Sequence, residues 1–413
     1  MFGGHYNVIG FDPRGTGDSP IQIDCFPNPI DRIVTNIASP SSINESDTSL
    51  GETFAIMKTT SLACGETTKD VGELMGSAFV VRDMFEIVDA LGEGDKLNFF
   101  GQSYGTVLGA LAAAMFPDRI GKLVIDGVIN TKDYFSDNWE TDPLTSGEVS
   151  LSRYWDQCFA AGELACPLVT KASSPSDLND KFFSLLDSLR TEPLVLGSNV
   201  TSDIVRRTEV TGAFNNGLRI GIAYGPYLAG YLNAIFDKNV TAYREYKAAV
   251  GLGHPFDAPP LEAVAGIRCS DTAYRADSAE DLRPLVQEQL DGSKLFGDIF
   301  ATGYAACAHW PFHAKGRYEG DYVAKTETPA LIIGSPYDVR TPIAGAYNVS
   351  ETLVDSVVLQ HNGLGHCLIY SPGKCAIDAV GAYFTNGTLP APGTVCEQDF
   401  DVFSGKTIGD SFV

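Results

Sequence analysis

The stretch GQSYG at residues 101–105 decides how this chain folds. It follows the apolar run LNFF at residues 97–100 and opens into TVLGALAAAMF at residues 106–116. This order predicts a strand, a sharp turn and a helix. A G-x-S-x-G turn in that setting is typical of a nucleophile elbow, whose strained backbone presents Ser103 above the strand ends, at the positive end of the helix. The alternative is an ordinary strand-to-helix turn with a surface serine.

The elbow lies within an alternation of strands and helices. Amphipathic spacing predicts a helix over residues 71–91, before the elbow strand. Apolar runs predict buried strands at residues 6–11, 97–100, 122–126, 329–334 and 356–360. Strands that alternate with helices indicate a mostly parallel, doubly wound sheet, and with the elbow they predict the α/β-hydrolase fold.

Two stretches interrupt this alternation. Residues 21–70 are rich in Ser, Thr, Asn and Pro, which predicts an excursion with little regular structure. Residues 131–325 contain helical stretches, such as 177–190 and 226–250, and predict a mostly helical cap over the active site. We therefore predict a first core part at residues 1–130, the cap at 131–325, and a C-terminal core part at 326–413.

The turn DPRGTGDS at residues 12–19 follows the first predicted strand. Asp, Gly and Pro favour turns, so the simplest interpretation is a turn around an ion-paired Arg14. The alternative is that this turn lines the floor of the pocket.

A serine nucleophile needs a base to take its proton and an acid to orient that base. In this fold the chain order is Ser, then Asp or Glu, then His. Asp338 follows the strand at 329–334, and His366 lies on a glycine-rich loop after the strand at 356–360. We predict Ser103, Asp338 and His366 as the catalytic triad, and the backbone N–H of Tyr104 as an oxyanion donor.

Other residues of the same types compete for these roles. Asp126 also ends a predicted strand and could be the acid, while Asp338 could instead be a turn residue that caps the next helix. His361 is the rival base, but it directly ends its strand and lacks flanking glycines. The remaining histidines are assigned to packing or have no context that indicates chemistry: His5, His254, His309 and His313.

The composition narrows the range of partners. A net charge of −23 argues against nucleic acid or an anionic membrane, because both would repel the chain. No apolar stretch reaches the length of a membrane span. No CxxC pair occurs, so a zinc site is not predicted, and no metal or organic cofactor is implied. A peptide or a small ester remains as the predicted substrate.

The cysteines and glycosylation sequons point to a secreted protein. Nine cysteines leave at least one thiol unpaired. Proximity in the sequence predicts the pairs Cys25–Cys64, Cys158–Cys166, Cys269–Cys307 and Cys375–Cys396, with Cys367 free. Sequons occur at Asn44, Asn199, Asn239, Asn348 and Asn386. The first residues, MFGGHY, have neither a basic start nor an apolar core, so we expect no signal peptide in this chain. Either the chain is intracellular or its front is missing.

The chain resembles the tripeptidyl aminopeptidase-like branch of the proline iminopeptidase family. The segments that carry the resemblance are FDPRGTGDS (11–19), GQSYGT (101–106), IDGV (125–128), CAHWP (307–311), YDVRTP (337–342), GLGH (363–366) and NGTLPAPGTVC (386–396). The resemblance implies secretion and the release of short N-terminal fragments from peptides by the triad named above. It also implies a cap that admits the free amino end, for which Glu140, Asp156 and Glu163 are available carboxylates.

One departure from the family bears on activity. Members carry a His-Gly-Gly-Pro-like segment upstream of FDPRG that supplies half of the oxyanion hole, and this chain has none. The strand before that segment would also pair with residues 6–11, so we expect N-terminal strands to be missing and residues before Met1 to belong to the natural protein. Two alternatives to the peptidase therefore stay open: a carboxylesterase or lactonase with the same triad, and a catalytically impaired, truncated homologue.

Overall fold

The computed structural model describes residues 4, 6–136, 145–197, 200–250 and 261–412. The strands in this part of the chain are β1 Leu97–Gln102, β2 Ile120–Asp126, β3 Leu194–Val195, β4 Ile204–Val205, β5 Leu331–Gly334, β6 Val357–Asn362 and β7 Val395–Glu397. Five of them form one sheet in the order β1-β2-β5-β6-β7, and every neighbouring pair is parallel. Strands β3 and β4 form a separate antiparallel pair.

Helices surround the sheet and fill the interval between β2 and β5. Their bounds are α1 Pro29–Ala38, α2 Ser49–Thr67, α3 Ser77–Leu91, α4 Tyr104–Met115, α5 Thr131–Phe135, α6 Gly147–Ala161, α7 Pro175–Thr191, α8 Arg207–Ile220, α9 Gly225–Phe236, α10 Val240–Ala249, α11 Leu261–Asp271, α12 Ala279–Gly292, α13 Gly297–Phe300, α14 Thr302–Ala308, α15 Ile343–Ser350, α16 Cys367–Tyr370 and α17 Lys374–Asn386. None of the described helices combines the length and the apolar character needed to cross a bilayer.

The sheet is buried on both faces. Successive side chains of a strand point to opposite faces, and in β2 Leu123 and Ile125 join the core formed with α3, α4 and α15. Val124, between them, joins the core formed with α17. Helices on both faces explain why the central strands are continuous apolar runs rather than alternating ones. The predicted α/β-hydrolase fold is confirmed.

The prediction of a strand at residues 6–11 is wrong. This segment has no strand partner among the described residues, and Val8 and Ile9 are 71% and 52% exposed. A β-strand is stabilised by hydrogen bonds to a neighbouring strand, so an apolar run without such a neighbour stays irregular. The two ends of the segment are held against the core: Tyr6 packs edge to face on Phe384 of α17, and Phe11 packs on the core around α3 and α4.

The prediction of little regular structure over residues 21–70 is also wrong, because helices α1 and α2 lie there. The buried side chains of α2 are Ser49, Thr53, Ser61 and Cys64. Small polar residues give no apolar periodicity, so the hydrophobic pattern could not indicate this helix. Helix α2 packs on α14 of the predicted cap, and the two share one core with α11 and α12.

Two predicted helices have different bounds in the structure. Helix α3 begins at Ser77, because Gly76 before it has φ +109°, which a helix cannot continue through. The predicted helix at 226–250 is two helices, α9 and α10, separated where Lys238 adopts φ +52°. The helix predicted at 177–190 agrees with α7.

The disulfide prediction is confirmed. The structure contains the pairs Cys25–Cys64, Cys158–Cys166, Cys269–Cys307 and Cys375–Cys396. Cys367 is free and buried. The division of the chain at residues 130 and 325 stays a prediction, and the packing of α2 on α14 crosses the first of these limits.

Candidate active site

The elbow between β1 and α4 holds Ser103 in a backbone conformation that few non-glycine residues adopt. Its φ is +54° and its ψ is −119°. A Cβ on Gly101 would lie 2.3 Å from the carbonyl oxygen of Gly105, so the tight turn requires glycine at position 101. Helix α4 begins at Tyr104, whose N–H belongs to the first turn and therefore has no acceptor within the helix. The turn thus presents a hydroxyl beside an N–H donor.

Asp338 and His366 form a buried, hydrogen-bonded pair at the same edge of the sheet. Asp338 lies in the loop after β5 and His366 in the loop after β6, and their side chains are 1% and 8% exposed. The distances from His366 Nδ1 to Asp338 Oδ2 and Oδ1 are 2.9 and 3.1 Å. With Nδ1 bound to the carboxylate, Nε2 is the nitrogen that remains for a reacting group.

The surroundings of Asp338 favour its ionised form. Burial by itself would raise the pKa of Asp338, but the charge of His366 and the hydrogen bonds to the carboxylate outweigh it and lower the pKa. The backbone N–H groups of Arg340 and Thr341 donate to Oδ1 at 2.8 and 3.0 Å, and the Thr341 hydroxyl donates to Oδ2 at 2.8 Å. Asp338 therefore carries its negative charge at neutral pH.

Cys367, which follows His366, brings the histidine loop against the elbow. Its thiol lies 3.5 Å from the carbonyl oxygen of Asp126, which also accepts a hydrogen bond from the backbone N–H of Ser103 at 3.1 Å. A Cβ on Gly127 would lie 2.4 Å from Cys367 Sγ, so this approach requires glycine there. The described residues show no hydrogen bond between the Ser103 hydroxyl and the His366 ring. In ligand-free sites such bonds are commonly long and tighten with substrate.

Asp126, the rival acid, contacts the elbow and the histidine loop rather than the imidazole. Its Oδ2 accepts hydrogen bonds from the side-chain amide of Gln102 at 2.7 Å and from the backbone N–H of Leu368 at 2.9 Å. Burial raises the pKa of Asp126 to about 6, against the effect of these two hydrogen bonds. The structure thus pairs His366 with Asp338 and leaves Asp126 as a bridge between the residue before Ser103 and the helix after His366.

The other histidines in the described residues have packing contacts. His361 is buried, and its Nε2 lies against the carbonyl oxygen of Ser371. Burial lowers the pKa of His361. His309 packs edge to face on Phe54, and His313 lies at hydrogen-bonding distance from Arg275. His5 and His254 lie outside the described residues.

Two adjoining pockets lie next to the elbow, and Ser103 lines the smaller of them. The nucleophile pocket has a volume of about 110 Å³ and is lined by Ser103, Val128, Ile129, Asn130, Asp133, Tyr134, Arg268, Phe300, Arg340 and Thr341. The cap pocket has a volume of about 600 Å³ and is lined chiefly by residues of α1, α2, α11 and α14. Both pockets include Ile129, Tyr134, Arg268 and Arg340 in their walls, so the two are neighbours.

The carboxylates at these pockets differ from those that the sequence offered. Asp156 and Glu163 are exposed and line neither pocket, and Glu140 lies outside the described residues. Asp133 lines the nucleophile pocket, and burial raises its pKa. Glu262 lines the cap pocket. Asp133 could have been found from its position shortly after the strand at 122–126, because the ends of parallel strands meet at one edge. Glu262 had no such signal.

The turn at residues 12–19 has the structural role that its sequence predicts. Arg14 donates to both carboxylate oxygens of Asp83, at 2.6 and 2.7 Å, and to the carbonyl oxygen of Leu74 at 3.0 Å. Its guanidinium also lies 4.7 Å from the centre of the Phe79 ring. The alternative holds in part as well, since Thr16 of the same turn lines the cap pocket.

One group of side chains has a spacing that a metal ion would need. The ligand atoms of Asp338, His366 and Cys367 lie within 4.8 Å of one another. The Asp338 carboxylate already accepts hydrogen bonds from the His366 ring, the Thr341 hydroxyl and three backbone N–H groups. These hydrogen bonds explain why the side chains of Asp338 and His366 lie so close together, with no need of a metal ion to hold them.

Comparison with known proteins gives matches over most of the chain. A model of the alpha/beta hydrolase fold matches residues 3–165, and a model of the TAP-like protein family matches residues 293–396. The tripeptidyl aminopeptidase of Streptomyces lividans is 26% identical over 408 residues, which cover 95% of this chain and 70% of that protein. Serine protease Hip1 and carboxylesterase B of Mycobacterium tuberculosis are each 24% identical over 95% of this chain and 74% of their own length.

Proposed function

Because the chain belongs to the TAP-like α/β hydrolases, we propose that it is a serine peptidase that releases short N-terminal fragments from peptides. The observation that carries this proposal is the Asp338–His366 pair, hydrogen-bonded at 2.9 Å, at the sheet edge that also bears the strained Ser103. We call Ser103, Asp338 and His366 the catalytic edge.

The proposed reaction is an acyl transfer in two steps. Ser103 attacks the scissile carbonyl while Nε2 of His366 takes its proton and then gives it to the leaving amine. Asp338 orients the ring through Nδ1 and stabilises its charged form. The N–H of Tyr104 donates to the developing oxyanion. The N-terminal fragment is then an ester of Ser103, and water activated by His366 releases it.

Recognition of a free amino end would require a carboxylate within the pockets. Asp133 lies in the nucleophile pocket, where it would meet the amine of a fragment of about one residue. Glu262, in the cap pocket, would meet the amine of a longer fragment. Glu262 is also paired with Arg32 at 2.8 Å, and Arg32 is paired with Asp24 at 2.7 Å, so this group of three keeps one negative charge in excess. The similarity to a tripeptidyl aminopeptidase favours Glu262.

An ester substrate is the second candidate, because a triad on this fold does not distinguish amides from esters. The similarity to a carboxylesterase supports this candidate, and that relative is as identical to this chain as serine protease Hip1 is, at 24%. The carboxylates in the pockets favour the peptide, since an ester substrate without an amine has no use for them.

We further propose that the protein acts outside the cell. Disulfides persist in oxidising compartments, and the structure has four of them. The sequon residues Asn44, Asn239 and Asn386 are exposed, as glycan attachment requires. Asn199 lies outside the described residues.

Labelling with a fluorophosphonate tests the catalytic edge directly. The wild-type chain should be labelled at Ser103, and Ser103→Ala should not be labelled although it keeps the same circular dichroism spectrum. His366→Ala should lose nearly all labelling, because the hydroxyl then has no base. Absence of labelling in the folded wild-type chain would contradict the proposal.

Cleavage products then separate the two substrate classes. Peptides with a free amino end should be cut near that end, and N-acetylation of the same peptides should lower kcat/KM by about 10²-fold or more, because the carboxylate is left unpaired. Glu262→Gln should reduce this difference if the fragment is long, and Asp133→Asn should do so if it is short. Equal rates for free and acetylated peptides, with faster cleavage of simple esters, would favour the esterase.

A further inference from the structure

The cap pocket is larger and more apolar than the nucleophile pocket. Its walls include Phe26, Met57, Val264, Ile267 and Trp310, with hydroxyl groups such as those of Thr53 and Thr60 between them. Its volume of about 600 Å³ lies within the range of roughly 300–1,000 Å³ that is typical of sites for small ligands. A pocket of this size could hold several apolar side chains.

The position of the cap pocket connects it to the reaction. The residues common to both pockets include Arg268 and Arg340, which stand where a substrate would pass from one pocket to the other. Arg268 lies over the Tyr134 ring at 4.0 Å, and Arg340 lies over the Phe300 ring at 5.0 Å.

The cap pocket also has fixed walls. The disulfide Cys269–Cys307 ties α11 to α14, and both of its cysteines line the pocket. The disulfide Cys25–Cys64 ties the segment before Phe26 to α2. Walls held by covalent links keep their separation when the pocket is empty, which favours a site that is formed before the substrate arrives.

From the apolar lining, the size and the continuity with Ser103, we infer that the cap pocket binds apolar side chains of the N-terminal fragment that is transferred to Ser103. This inference rests on the proposed function, because only an enzyme that removes a short fragment needs to enclose the acyl part of its substrate. A charged side chain in the fragment would lose its hydration against the apolar part of these walls, which disfavours it. The charged groups of the lining are already engaged, because Glu262 is paired with Arg32, and Arg268 and Arg340 lie over aromatic rings.

The test uses peptide amides of aminocoumarin that differ only in one fragment residue, which is Leu, Phe, Asp or Lys. The wild-type chain should have a kcat/KM for the Leu and Phe substrates at least about tenfold above that for the Asp substrate. Met57→Glu places a carboxylate in the wall. It should lower the ratio of the Leu to the Lys substrate by about tenfold or more, because Lys gains a partner.

Leu62→Glu is the matched control, since Leu62 lies on the same helix, is 64% exposed and does not line the pocket. This variant should leave all four kcat/KM values unchanged. A second pocket variant, Ala306→Phe, narrows the pocket and should lower kcat/KM for the Phe substrate more than for the Leu substrate. It serves as the test if Met57→Glu does not fold.

The outcomes separate the inference from the proposed function. If the folded wild-type chain is not labelled by fluorophosphonate, the proposed function fails. If it is labelled but treats the four substrates alike, the inference alone is overturned. The inference is also overturned if the folded pocket variants lower kcat/KM for all substrates by the same factor, because that result indicates a structural role only.

Discussion

The catalytic edge comes from loops that directly follow parallel strands, whereas the cap pocket is assembled from helices far apart in the sequence. Asp338 is held by N–H groups only two and three residues further along the chain. The walls of the cap pocket, by contrast, combine α1 and α2 with α11 and α14. One disulfide ties α11 to α14, and another ties the segment before α1 to α2. Hydrogen bonds within short loops thus position the reacting groups, whereas packing between distant helices shapes the pocket that would bind the substrate.

This difference agrees with the demands on the two regions. Reacting groups must hold their positions closely, which short loops on a rigid sheet achieve. A substrate pocket instead has to suit one class of side chain, and helices outside the sheet can vary without disturbing the strands. Substitutions at the catalytic edge should therefore change the rate for every substrate, and substitutions in the pocket should change the choice among substrates.

The largest expected effect distinguishes the two carboxylates near His366. Asp338→Asn should lower kcat by about 10⁴-fold, because the amide favours the wrong tautomer of the imidazole. Asp126→Asn should cost only about tenfold, since its remaining carbonyl oxygen still accepts from Leu368 and it does not contact the ring. Steady-state rates on one peptide and one small ester would measure both.

A matching control is available within the same pair of variants. Both variants should keep the wild-type circular dichroism spectrum. Within each variant, the factor by which kcat falls should be the same for the peptide as for the ester. If Asp126→Asn were as slow as Asp338→Asn, the assignment of Asp338 as the acid would be wrong.

The next effect concerns the walls of the cap pocket. Replacing Cys269 and Cys307 by serine removes a disulfide between cysteines that are 38 residues apart in the sequence. The relation between loop length and chain entropy gives a loss of about 4 kcal/mol in the free energy of unfolding. The kcat/KM for peptides should fall more than that for a small ester. Denaturant unfolding and the two rates are the measurements.

The disulfide Cys158–Cys166 provides the comparison, since it spans 8 residues and lies in a helical core that does not line the cap pocket. Its removal should cost about 2.5 kcal/mol by the same relation. It should lower both rates by one common factor. A larger loss for peptides than for the ester in this control would weaken the link between the pocket and specificity.

The smallest effect is a dependence of stability on pH that has one source in each region. Burial raises the pKa of Asp126, which adjoins the catalytic edge, and of Asp271, which accepts a hydrogen bond from Tyr134 of the pocket walls, to about 6 in the folded chain, from an ordinary value of 3.8. Between these values the folded chain binds more protons than the unfolded chain does. The free energy of unfolding should therefore fall as the pH rises from 4 to 7, by about 1–3 kcal/mol for each group.

Each region can be tested separately. Asp126→Asn and Asp271→Asn should each remove part of this slope, and the double variant should remove both parts. Asp338 has the opposite sign, because its pKa is lowered, so its contribution is lost only as the pH falls below its ordinary range. Urea unfolding at several pH values measures the slope, and an unchanged slope in both variants would contradict the effect of burial.

The sequence by itself determined the α/β sheet, the elbow at Ser103, and the choice of Asp338 and His366 as candidates. These features depend on neighbouring residues: an apolar run makes a buried strand, and a glycine allows a tight turn. The order of the chain then brings the strand ends to one edge.

Only the tertiary structure decided the rest. It placed α2 against α14 and brought Glu262 to the cap pocket. It also set Asp126 between the elbow and the histidine loop. These outcomes depend on contacts between segments up to hundreds of residues apart. No local pattern encodes them, because small polar side chains and isolated carboxylates look the same in a sequence whether they are buried or exposed.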